Sequence, residues 1–437
     1  MSGPKVVRVV TREEVLDICR GLLARVDRAL AEWNRVGRRN ESIDDEAIAA
    51  ASARRERLAK LIATDRFLDL QKQAPQEEAF LRNDIQARLT AIAEQELKAR
   101  SGRRREVEAA ASLLRQLRDA GKLDAELEGA LSRGESSAIS KGFRVLADEA
   151  APQARATGFA AGLRDEQSVA TFAEWLARQP PETTDPAIER IERRLGELKA
   201  FNDDHDADWQ ARLMEARDAP AARRQLLLDG LEVDTGRALT TIRRQAALVF
   251  DLRLVLAELD AVGGTPSPIH DDPTGIDIEA LEARLDDARA KLVSHRAERA
   301  TASRQAAVLR GLAQLGYEVT GGMSTSLPED GRLVVKSATR PDYGVEVSAA
   351  PGGERLQMRV VAFDSGSGSP DLGRDRDAET IWCSDVSSLQ ASLAAAGSNL
   401  VIERAMPIGA TPLKRISITS DQAQATVTPA RKEQKLQ

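Results

Sequence analysis

Residues 308–322 read VLRGLAQLGYEVTGG, and the hydrophobic period changes in the middle of them. Up to Leu315 the large apolar residues fall three or four apart, as one face of a helix requires. Past Gly316 the period is two, as a half-buried strand requires. YEVTG, GRLVVKSAT, YGVEVSA and ERLQMRVVAF, parted by Gly, Pro and Asp turns, predict four strands. The loop DSGSGSPDLGRD, helical residues 375–396 and a further strand, NLVIERAMP, follow. This order predicts a small α+β domain over 316–418, an antiparallel sheet with helices on one face. The polar, aperiodic segment 419–437 is expected to be disordered.

Upstream of Leu315 the pattern is almost entirely helical. KVVRVV (5–10) is the exception, a β-branched run that predicts a strand within segment 1–10. It is expected to pair with the C-terminal sheet or with a partner's edge. Thr11 and Glu14 form a capping box, and Val15, Ile18, Leu22, Val26, Leu30 and Trp33 carry a helical stripe that Gly37 and Asn40 end. A second helix is predicted over roughly 44–73, broken by Pro75. A third, over 76–120, would be ~65 Å long at ~1.5 Å per residue, too long for a domain core. Residues 11–120 therefore predict a helical arm. Residues 121–185, punctuated by glycines and closed by Pro180-Pro181, predict a head of short helices. Helices from Pro186 to about Arg217, from Pro220 to Val262 and over 277–315 predict a second arm, 186–315, with a linker at 263–276. Within the last helix, Ser294–Ala307 lacks large apolar residues, so loose or solvent-facing packing is expected there. The fold class is mainly α: long antiparallel coiled-coil or helical-hairpin arms with a small C-terminal α+β domain.

Composition agrees. A chain of 437 residues divides into two or three domains, and 30% charged with only 3% aromatic residues suits long helices packed side by side. The formal net charge of −6 gives no global field toward nucleic acid or anionic lipid. Residues 1–120 carry 24 Lys+Arg against 20 Asp+Glu, so the acidic excess lies downstream. Cys19 and Cys383 belong to no CxxC pair, the opening MSGPKVVRVVTREE turns charged at once, and no run of ~18 apolar residues is present. A cytoplasmic protein with reduced thiols and no membrane span is expected. Arg far outnumbers Lys, as in GC-rich bacterial genomes.

Five strings invite a chemical reading. NDDHDADW (202–209) could offer Asp204, His205 and Asp208 to a metal, but a single helix supplies one or two converging ligands where zinc needs three or four. The string also lacks the glycine and the spacing of an EF-hand loop. IHDD (269–272) resembles the His-Asp pair of HD phosphohydrolases, without the further histidines that such sites need. KARSGRRRE (98–106) gathers Arg103, Arg104 and Arg105, a candidate phosphate grip, but flanking glutamates cancel much of its field and no aromatic residue interleaves for stacking. RPDYGVEV and GGERLQMRVV invite comparison with PD-(D/E)xK nucleases, with Asp342 as first acid and Glu346 or Glu354 as second; the required lysine is missing after either glutamate. TIWCSD (380–385) places Cys383 beside Trp382 in a domain without histidine to hold a thiolate. It is expected at a helix-to-helix junction, with Trp382 packing on the sheet and Ser384 or Asp385 capping.

No GxxxxGK[ST], no GxGxxG after a strand, no HExxH and no GxSxG occurs, so no ATPase engine accompanies the helices. The expected function is a non-catalytic coiled-coil scaffold or adaptor subunit of a bacterial multi-protein complex, with no cofactor. Its partners would be proteins, met through the helices and through a sheet edge open to strand addition, with homo-oligomerisation allowed and nucleic acid disfavoured. A metal-dependent nuclease-like module using Asp342 and Glu354 is the alternative. A helical membrane-surface or filament-forming protein comes third, because no strongly basic amphipathic face is evident.

Overall fold

The computed structural model describes residues 4–135, 137–146, 185–201, 206–266, 277–319, 332–349, 355–364 and 371–417. The protein is mainly α with an α+β C-terminal part. In chain order the elements are β1 (Lys5–Val10), α1 (Arg12–Arg39), α2 (Asp45–Ala63), α3 (Phe67–Asp119), α4 (Ala125–Ser132) and a helical stretch at 137–146. Then come α5 (Pro186–Phe201), α6 (Asp206–Asp218), α7 (Ala221–Ala261) and α8 (Ile278–Gln314). The C-terminal part holds β2 (Tyr317–Glu318), β3 (Arg332–Ser337), β4 (Tyr343–Ala349), β5 (Arg355–Asp364), α9 (Leu372–Ala395), β6 (Asn399–Ala405) and β7 (Lys414–Ser417).

The chain divides into two compact units, Met1–Glu32 with Asp45–Leu81 and Ala247–Gln437, and Trp33–Asp44 with Arg82–Ala246. In the first, Cys19, Val26, Leu58, Leu70 and Ala74 join α1, α2 and α3, and Leu248–Val262 packs on Leu281–Leu292 to join α7 and α8. In the second, Leu113 and Leu117 of α3 pack on Leu127 and Leu131 of α4. Ile191, Leu195 and Leu198 of α5 pack there on Leu213 and Ala216 of α6 and on Leu228 and Leu231 of α7.

Several helix ends depart from the sequence expectation. The predicted break at Pro75 lies inside α3, because the turn comes earlier, at 64–66. There Asp65 takes a left-handed φ of 55°, Arg66 N–H donates to the Leu61 carbonyl (2.8 Å) and Asp65 N–H to Ile62 (3.2 Å). This is a Schellman stop without its usual glycine, so it leaves no composition signal. Gly37 does not end α1; it lies within the helix because a Cβ there would stand 2.6 Å from the Ile43 side chain. The helix expected from Pro186 to Arg217 is two, α5 and α6, with 202–205 between them outside the described residues. The capping box at Thr11 is half made: Glu14 N–H donates to Thr11 Oγ1 (3.2 Å), while the Glu14 carboxylate is taken by Arg304.

Ser294–Ala307 fits the expectation of loose or solvent-facing packing, since Gln305 is its one buried residue, and charges make its contacts. Within the first unit, Arg296 pairs with Glu258, Arg299 with Asp17 (2.7 Å) and Arg304 with Glu14, and Ser303 Oγ meets Thr11 Oγ1 (2.7 Å). Ion pairs replace apolar contacts along this part of α8. With so few aromatic residues, the helices rely on Arg–carboxylate zippers: Arg25 holds Glu78 in a two-pronged grip, Arg55 holds Asp27, and Arg253 holds Glu32.

KVVRVV enters the sheet. The strand order is β2-β3-β4-β5-β1-β6, and β1 pairs antiparallel with both β5 and β6. β7, a strand beyond the expected set, runs parallel to the second half of β5, from Val361↔Lys414 to Asp364↔Ser417. Val7, Val9, Val335, Val345, Val347, Leu356, Met358 and Leu400 point to one side and meet Val308, Leu309 and Leu312 of α8 and Trp382, Val386 and Leu389 of α9. Full burial of each large side chain contributes ~1.5–3 kcal/mol, which makes this core the anchor of the C-terminal part. TIWCSD accordingly lies inside α9, not at a junction: Trp382 fits the expectation of packing on the sheet, and neither Ser384 nor Asp385 caps a helix.

Candidate functional site: the open face of the sheet

Strand alternation sends every second side chain away from α8 and α9. Because register partners share a face, the far side collects Arg8 from β1, Arg332 and Lys336 from β3, Arg355 and Arg359 from β5, and Lys414 from β7. Arg404 stands opposite Val6 and Glu318 opposite Lys336, so they join that side, where Glu346 and Glu403 are the other acids. Among the described residues this face carries seven basic side chains and three carboxylates, in a chain whose net charge is −6.

Two acids organise the cations. Glu346 is 2% exposed. Arg359 donates to its Oε2 and Lys414 Nζ to its Oε1 (3.0 Å), while Arg332 pairs with Oε1. Burial pushes the Glu346 carboxyl up, but the Arg359 and Lys414 hydrogen bonds and the charges of Arg359 and Arg332 outweigh it and hold the group below its usual range. Glu403 lies between register partners, accepting from Arg355 Nε at 2.7 Å with Arg8 Nε 3.7 Å away. Both arginines remain mostly exposed, at 57% for the Arg8 side chain and 63% for that of Arg355.

Gly344 makes room on this face for the Phe363 ring. A Cβ at Gly344 would stand 2.5 Å from the Val335 carbonyl oxygen and 2.7 Å from Phe363 Cζ. Lys336 Nζ covers the same ring at 5.6 Å, and Phe363 is 8% exposed. The backbone contact leaves no room to relax, so Gly344→Ala is expected to destabilise by about 1–3 kcal/mol, read as a lower urea midpoint. An unchanged midpoint would show that the strand shifts freely.

The helix-covered side is polar at its rim. Tyr317 OH donates to Asp385 (2.7 Å), which Arg340 also reaches (3.3 Å). Tyr343 OH donates to Asp375 (3.0 Å), which also receives Arg415 (3.0 Å). Burial and then the hydrogen bond and charge of the neighbouring aspartate push both phenols up, Tyr343 to about 12 and Tyr317 further. These are the chain's two tyrosines. A raised phenol contributes stability that is full below the ordinary value of 10.0 and is lost as pH rises through the folded value. Tyrosinate absorbance is therefore expected well above pH 10.0 and together with loss of structure. A tyrosine titrating normally in folded protein would contradict this packing.

Cys383, in a domain without histidine, has a basic neighbour brought from the other end of the chain. Lys5 Nζ, delivered by β1 and 3% exposed, donates to Cys383 Sγ at 3.4 Å and lies 6.0 Å from the Trp382 ring. Only the pairing of β1 into the sheet brings residues 378 apart into contact.

The other sequence candidates scatter. Asp342 is exposed in the turn before β4, four residues from Glu346 on the same strand, and Glu354 lies outside the described residues. A lysine does reach Glu346, but with two arginines it occupies both carboxylate oxygens. Asp204 and His205 also lie outside the described residues; Asp208 is exposed on α6, and Trp209 beside it is half-buried under Arg212, 5.0 Å from the ring. IHDD falls outside too. Of the basic run, Arg103 and Arg105 are exposed, while Arg104 turns inward to Glu192 of α5. Among the described residues no group of three or more His, Cys, Asp or Glu could hold a metal ion, and no helix is long and apolar enough to cross a membrane. A cleft among α1, α8 and α9, about 430 Å³ in volume, is walled by Arg12, Asp17 and Arg299. Those charges already pair, Arg299 with Asp17 and Arg12 with Asp65, so it offers less than the open face.

The open face leaves no mark in the linear sequence because its cations come from five strands spread over 400 residues, each contributing one or two in an ordinary alternating pattern. Compared with known proteins, the chain matches no family model, no curated protein and no solved structure.

Proposed function

We propose that the chain is a non-catalytic scaffold or adaptor subunit of a multi-protein assembly, with its C-terminal sheet as the docking module. The observation that carries this reading is the open basic face, whose sign is opposite to that of the whole chain. Its cations are held ready by Glu346 and Glu403, so little side-chain entropy is lost when an anionic surface arrives. Further support comes from what the acids do: Glu346 is saturated by three cations, which leaves no oxygen free for a metal.

Affinity purification of the native protein, run beside an Arg8→Glu/Arg355→Glu variant, tests the reading. The partners retained by wild type should be lost from the variant, whose fold is checked by circular dichroism and whose two changed side chains are mostly exposed. An identical partner set would sink the docking role of the face. A thermal shift with magnesium, manganese or zinc, abolished by Asp342→Ala with Glu354→Ala, would favour a metal-dependent module instead.

A further inference from the structure

We propose that the open face takes the sugar–phosphate backbone of double-stranded nucleic acid without reading its sequence, an assignment that rests on the docking reading above. Whole-chain charge argues against nucleic acid, yet the charge a ligand meets is local. On this face basic side chains outnumber acidic ones by four among the described residues.

The spread of those charges selects the ligand. From Arg404 on β6 to Arg332 and Lys336 on β3 there are four inter-strand steps, about 19 Å at ~4.8 Å each. A duplex presents one phosphate per ~1.7 Å of axis, roughly eleven over that distance, of which about half, on two strands, face a surface laid against it. An extended acidic peptide turns a side chain toward the face only every ~7 Å, which gives about three carboxylates in a single row. Cations dispersed over five strands match the denser, two-dimensional array. Five of the seven are arginines, whose forked donors suit phosphate oxygens, and Glu403 and Glu346 orient Arg355 and Arg359. Among the described residues Phe363 is the one aromatic ring on the face, and it is buried beneath Lys336, so they offer unpaired bases no exposed ring to stack on.

The test uses the full chain and a fluorescent DNA duplex of about 20 base pairs, with poly-glutamate of similar charge as the second ligand. Anisotropy is followed across a salt series. Four released counterions give a log–log slope of about −3.6, a loss of about 150-fold between 50 and 200 mM salt. Arg8→Glu/Arg355→Glu brings the face to charge balance and should abolish duplex binding. Arg103→Glu/Arg105→Glu, elsewhere on α3, should leave it intact. Arg8→Gln/Arg355→Gln, milder on the fold, should weaken it measurably. Poly-glutamate binding without duplex binding would overturn the nucleic-acid assignment and leave the docking face standing. Binding of neither would overturn both. Duplex binding that survives charge reversal would place the contact elsewhere and overturn the proposal.

Discussion

Replacing Glu346 by glutamine is expected to cost about 3 kcal/mol of stability while tightening the duplex binding proposed for the open face. Glutamine keeps the volume but puts an amide among three cations that have lost their counter-charge. Breaking a buried ion pair by removing one partner costs ~3–5 kcal/mol. The low end applies because the Arg332, Arg359 and Lys414 side chains remain 44%, 33% and 34% exposed while that of Glu346 is 3% exposed. A Glu346→Leu/Arg359→Leu double variant should recover part of the loss, since it removes one of the stranded cations together with the acid. The pH dependence has a definite sign. A carboxyl held below its usual 4.5 contributes stability that is full above that value and is lost as pH falls through the folded one. Wild type should therefore weaken below about pH 4.5, and the gap between wild type and Glu346→Gln should narrow over the same window. Urea midpoints along a pH series measure both effects. A variant as stable as wild type at neutral pH would mean that the cations are solvated well enough not to need the acid.

Much of the fold was legible because period is a local signal. The change at Gly316, the strand character of KVVRVV and the helical stripe from Val15 to Trp33 are each visible within a dozen residues. The end of α1 beside Asn40 was legible too, but the helix stop at Asp65 was not, because a left-handed residue that is neither Gly nor Asn leaves no mark in composition. Along Ser294–Ala307 the absent leucines did mark a wet surface, but the acids on α1 and α7 that pair with Arg296, Arg299 and Arg304 come from distant sequence and could not be read there. The open face was hidden for a related reason. A single Arg in an alternating strand is the ordinary solvent-facing residue, and only register places Arg8 against Arg355 or Lys414 against Glu346. The Lys5–Cys383 contact needed the same long-range pairing.

The same logic gives the second large effect, in the other compact unit. Glu192 on α5 is 4% exposed and accepts from both Arg104 of α3 and Arg217 of α6. Changing Glu192 to Met removes the carboxylate that two arginines share, their side chains 24% and 28% exposed. The expected loss is about 3–5 kcal/mol, the range for stranding a buried charge. The triple variant Glu192→Met/Arg104→Met/Arg217→Met should return most or all of it, since well-packed apolar groups often match or exceed a buried ion pair once desolvation is removed from both sides. Urea denaturation of the three proteins separates the two views of Arg104. If it is a structural cation, the single change is severe and the triple is mild. If it served instead to grip phosphate beside Arg103 and Arg105, Glu192→Met would leave the fold nearly untouched. The burial of Glu192 at the meeting of three helices predicts the severe outcome.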